Sequence, residues 1–128
     1  MSTQTSPSPP TIALARPLQE LLASGAPTYE MFLAAAVLVE GEALDLVKSS
    51  VRLLDEGDSP DFVWTEIGSA RSAATTHLLS FKKIVDENLA LPPSKRAQLT
   101  TKQWEELVTL IFQAEQFVMT TQRLCGQI

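Results

Sequence analysis

Apolar residues recur at helical spacing along nearly the whole chain. The clearest case is the stretch Thr28 to Glu56, where Phe32, Ala36, Val39, Ala43, Leu46, Ser50 and Leu53 form one heptad row. Leu33, Val37, Glu40, Leu44, Val47, Val51 and Leu54 form a second row beside it. Two adjacent apolar rows predict a helix that touches two neighbours, as in a bundle, rather than one coiled-coil seam. Thr28 can cap this helix, Glu30 complements the positive end of its dipole, and Gly57 ends it. Asp45 with Lys48 and Arg52 with Glu56 are charge-paired on the polar side.

A third segment opens on Ser59-Pro60-Asp61, a cap followed by a first-turn proline and an acid, and runs to about Leu89. Its expected face is Val63, Ile67, Ala70, Ala74, Leu78, Phe81 and Ile84 or Val85. The stretch from Ser69 to Thr76 is small apart from Arg71, which would let a neighbouring helix approach closely. A fourth segment begins with Thr100-Thr101-Lys102-Gln103, a capping box, with Leu99 placed to staple onto Trp104. Its face is Trp104, Leu107, Leu110 or Ile111, Ala114, Phe117 or Val118, Thr121 and Leu124, closed by Gly126.

Ahead of these lies a shorter helix within residues 11–25, with Pro17 in its first turn, a stripe of Leu18, Leu21 and Leu22, and Gly25 as its stop. Residues 1–10 hold three prolines and five Ser or Thr, which predicts a disordered arm. No alternating run bounded by turn residues suggests a strand. The expectation is therefore all-α: an antiparallel bundle of three long helices and one short N-terminal helix, forming a single domain over 11–128. The incomplete first helix should leave a groove, to be covered by residues 11–25, a second copy or a partner.

The length, 128 residues, suits one domain with one core. Ten basic and fifteen acidic residues give a net charge of −5, which argues against general nucleic-acid binding. The charge is uneven. Residues 20–66 hold ten acids and two bases, whereas 67–128 hold five acids and seven bases. One Cys and one His leave no disulfide framework, no Cys/His zinc site and no di-iron pair of Glu-x-x-His motifs, so no metal or cofactor is expected. Five glycines supply no phosphate-cradling loop.

The longest apolar run, Met31 to Val39, falls short of the roughly twenty residues a membrane span needs. The first ten residues contain no basic residue and no apolar run, so they do not read as a secretory signal. Together these give a cytoplasmic, reducing-compartment expectation, with a secretion system that reads a flexible Ser/Thr/Pro-rich start as the alternative.

Candidate chemistry is sparse. His77, the one imidazole, lacks the lysine and glycine that phosphotransfer histidines carry three and four residues on. Those positions hold Ser80 and Phe81, so His77 reads as a flanking, partly exposed bundle residue. Glu40 interrupts the second apolar row and reads as an edge residue, or as a polar contact to a ligand or partner. Cys125, at the last helical turn, has no base near it in sequence and the wrong end of a helix dipole for an activated thiol. No paired catalytic groups emerge, so no enzyme is expected.

Binding features are more evident. Phe62 and Trp64, with Val63 and Ile67, make an apolar cluster wider than one face requires and read as an interface patch. Lys82, Lys83, Lys95 and Arg96 lie with Lys102 near one end of the bundle, as a basic tip facing an acidic partner or the acidic half of a second copy. Alternatively, Lys82 and Lys83 pair with Asp86 and Glu87 at i,i+4. The functional expectation is a non-catalytic protein-interaction or regulatory bundle, with a homodimer among its forms. Its rivals are a small-molecule pocket lined by 69–76, and a secreted or phage-type inhibitor or effector.

Overall fold

The structure, a computed structural model, describes residues 14–56 and 60–125; of the side chains within the helices, those of Pro60, Asp61, Phe62, Trp64 and Cys125 lie outside the described set. The N-terminal arm, Gly57, Ser59 and Gly126, each assigned a role by sequence, also fall outside it. Four helices follow one another: α1 (Arg16–Ala23), α2 (Tyr29–Glu56), α3 (Pro60–Ala90) and α4 (Thr101–Cys125). There are no strands among the described residues. The three long helices have 28, 31 and 25 residues, or about 38–46 Å each at 1.5 Å per residue.

Local chemistry sets the helix boundaries. The hydroxyl Oγ1 of Thr28 accepts from the Met31 amide at 3.4 Å, capping α2. At α4 the capping box is complete: the Gln103 amide donates to Thr100 Oγ1 at 3.1 Å, and the Thr100 amide donates to Gln103 Oε1 at 2.9 Å. Helix α1 is shorter than the sequence implied. It spans eight residues and ends at Ala23, because Ser24 turns extended (ψ 130°) one residue before Gly25.

Helix α2 packs against all three of the others. Tyr29 meets Glu106, and Phe32 stacks edge-to-face on Trp104 with ring centroids 5.3 Å apart. The first turns of α2 and α4 therefore lie at the same end, and α3 runs antiparallel to both. The main core gathers Leu18 and Leu21 of α1, Phe32 to Ala43 of α2, Leu78 to Val85 of α3 and Trp104 to Ala114 of α4. Phe32 is its hub, fully buried between Trp104 and Phe81. Leu99 packs against this cluster as the staple requires. A smaller cluster of Leu53, Val63 and Ile67 holds α2 and α3 together at the other end.

Every member of the first α2 row is buried. The second row is not: Leu33, Leu44, Val47 and Leu54 are half-buried, and Val37 and Val51 are exposed. The reason is geometric. Covering a second row takes another long helix, and α1 supplies only about two turns. On α3, Ala70 is exposed rather than on the core face, and of the small stretch 69–76 only Ala74 is buried. No described helix is long and apolar enough to cross a membrane.

Candidate interaction surface

The polar contacts divide into those that brace the fold and those that leave a surface open. His77 belongs to the first group. It is buried, 6% exposed, and its Nδ1 lies 2.6 Å from Glu42 Oε1 across the α2–α3 boundary. The expected partly exposed histidine is thus corrected. Glu42 stands three residues from Val39 and four from Leu46, at the border of the covered row. Glu40 lies on the uncovered row, so the contact falls to Glu42.

The basic residues are engaged in different ways. Arg96 Nη2 donates to the carbonyls of Leu89 and Leu91 at 2.8 and 2.9 Å, satisfying acceptors that the end of α3 leaves open. Asn88 Oδ1 accepts from the Ala97 amide at 3.0 Å, and Gln98 Nε2 donates to the carbonyls of Pro93 and Arg96. This ladder stiffens the 91–100 connection and so sets the angle at which α4 departs. Lys83 and Lys95 are exposed, with no ion pair to a described residue. Lys82 reaches across to α4, donating to Glu115 Oε2 at 3.3 Å, instead of pairing with Asp86 along its own helix.

A cleft of about 840 Å³ opens at this end, between the α1–α2 turn and the 91–100 connection. Its base is Leu21, Ile84 and Leu91; Asn88, Arg96, Gln98 and Gln103 on its walls are already committed to main-chain groups. One donor there, Arg96 Nε, is buried without a hydrogen-bond partner. The stretch 69–76 lines neither this cleft nor a shallower one along the α4 surface. Nor do three His, Cys, Asp or Glu side chains converge among them.

The Lys82–Glu115 pair fixes the register of α3 against α4. Equal rise along two antiparallel helices then sets Leu89 level with Val108, and Leu79 level with Val118. Leu79, Lys82, Asp86 and Leu89 share one side of α3, and Val108, Phe112, Glu115 and Met119 share one side of α4. Leu79, Leu89, Val108, Phe112 and Met119 make up five of the nine exposed large hydrophobics among the described residues. Val108, Phe112 and Met119 are 49%, 58% and 53% exposed. Exposed apolar residues gathered in this way call for an explanation that scattered single ones do not.

Sequence reasoning assigned α4 a single apolar face and passed over this second line. The signal was present, since 108, 112 and 119 are apolar positions at helical spacing off the core row. Phe62 and Trp64 lie on the first turns of α3, and their side chains are outside the described residues. No family model, no curated protein and no solved structure matches this chain.

Proposed function

We propose that this chain is a protein-binding helical bundle that acts without catalysis, through the face shared by α3 and α4. The observation that carries the reading is the line Val108, Phe112 and Met119, about half exposed on the flank of the face that α4 buries in the core. Completing the burial of these half-exposed side chains yields about half of the roughly 1.5–3 kcal/mol that full burial gives, a useful share of a specific association. The Lys82–Glu115 pair lies between the two apolar lines and is already neutralised internally, so of the charges named on this face Asp86 is left for a partner to match. A single cysteine, with no disulfide framework, suits a reducing compartment such as the cytoplasm.

A photoreactive phenylalanine analogue at position 112, irradiated in the native host, tests this reading. The exposed α2 position Asp45 serves as the control. The expected result is a discrete protein adduct from position 112 and none from position 45. Equal labelling from both positions, or none from either, would overturn it.

A further inference from the structure

We infer that the occupant of the α3–α4 face is a second copy of this chain, docked with the two α4 helices antiparallel. The inference rests on the protein-binding reading of that face and goes further by naming the partner.

A two-fold contact demands that a surface fit itself: if residue i meets residue j, then j meets i. The exposed line of α4 meets that demand in the spacing of its apolar residues and in the charges at its two ends. Place a two-fold axis close to residues 113–114. Val108 of each copy then comes opposite Met119 of the other, and the two Phe112 side chains flank the crossing point. The same axis brings Glu105, at the start of the line, within one residue of the level of the other copy's Arg123, at its end. This happens twice by symmetry. Among the described residues neither Glu105 nor Arg123 is in an ion pair, and both are exposed.

A parallel arrangement would set Glu105 beside Glu105 and Arg123 beside Arg123, which is unfavourable at both ends. The mutual Lys82–Glu115 pairing offsets two of the charges in the middle of this face, with Asp86 the third.

Sedimentation velocity of the full chain over a dilution series, with circular dichroism to verify helicity, provides the test. The wild type should pass from 14.0 kDa to twice that mass as concentration rises. Glu105→Arg and Arg123→Glu should each raise the dissociation constant roughly fivefold by losing two rim pairs. The double variant should recover most of the wild-type affinity, which generic loss of stability cannot produce. Phe112→Asp should raise the constant by at least about thirtyfold.

A wild type that stays at 14.0 kDa throughout, or a double variant no tighter than either single, overturns the inference. The adduct mass from position 112 separates the two claims. An adduct of a different protein retains the binding face and removes the second copy, whereas no adduct removes both.

Discussion

Glu42 Oε1 lies 2.6 Å from His77 Nδ1, and this contact joins the middle of α2 to the middle of α3 where the apolar core thins between its two clusters. His77 is nearly enclosed, whereas Glu42 keeps one side in water. Glu42→Ala, which removes the acceptor from a buried ring nitrogen, should destabilise the fold by about 1–3 kcal/mol. Glu42→Gln, which retains an acceptor, should recover part of that loss. Urea titrations of the three proteins check both statements.

Tyr29 and Glu106 make the corresponding contact at the other boundary of α2, hydroxyl to carboxylate at 2.5 Å. The hydrogen bond to Glu106 pushes the Tyr29 phenol above its usual 10.0, with desolvation and the negative charges of Glu106 and Glu30 adding to it. A pKa raised on folding means the contribution to stability is complete below the unfolded value and is lost as pH rises through the folded one. The α2–α4 contact should thus weaken only above about pH 10. Because the chain has one tyrosine, phenolate absorbance reads this group alone. Glu106→Gln should bring the midpoint back toward the ordinary value.

Arg96 turns a loop of ordinary composition into a brace by donating to the Leu89 and Leu91 carbonyls. Arg96→Ala should cost about 1.5–3 kcal/mol, in the range of hydrogen bonds from a charged donor. Thr100→Ala, which removes the α4 cap, should cost about 1 kcal/mol. The two sites lie on one short connection, so the double variant should depart from additivity, which thermal unfolding of the single and double variants can measure.

The core and the proposed face should separate cleanly in mutational response. Phe32→Ala removes the ring that packs on both Trp104 and Phe81 and should cost about 3–5 kcal/mol. Phe112→Ser touches only an exposed ring and should change stability by no more than about 0.5 kcal/mol, in the monomer at high dilution. A large loss for Phe112→Ser would place that ring in the core and contradict the surface.

Periodicity carried the architecture well. The row from Phe32 to Leu53 is buried throughout, because a regular helix converts heptad spacing directly into a face. Capping chemistry fixed the starts of α2 and α4 for a similar reason: side chain and backbone groups lie within three residues of each other. What periodicity could not convey was how much apolar surface the other helices would cover. The second α2 row and the Val108–Met119 line look no different in sequence from buried rows, and only the shortness of α1 and the α3–α4 register expose them. Lys82–Glu115 and His77–Glu42 were illegible for the same reason, since each joins residues more than thirty positions apart.

The most direct measurement on the α3–α4 face is the methyl spectrum of methionine-labelled protein followed through a dilution series. Met119 stands on the proposed face, and Met31 is half-buried beside the core. The account predicts that the Met119 resonance shifts with concentration along a binding curve while Met31 stays in place, and that Phe112→Asp abolishes the shift. A Met119 resonance that is invariant while the protein self-associates would put the contact on another surface and contradict it.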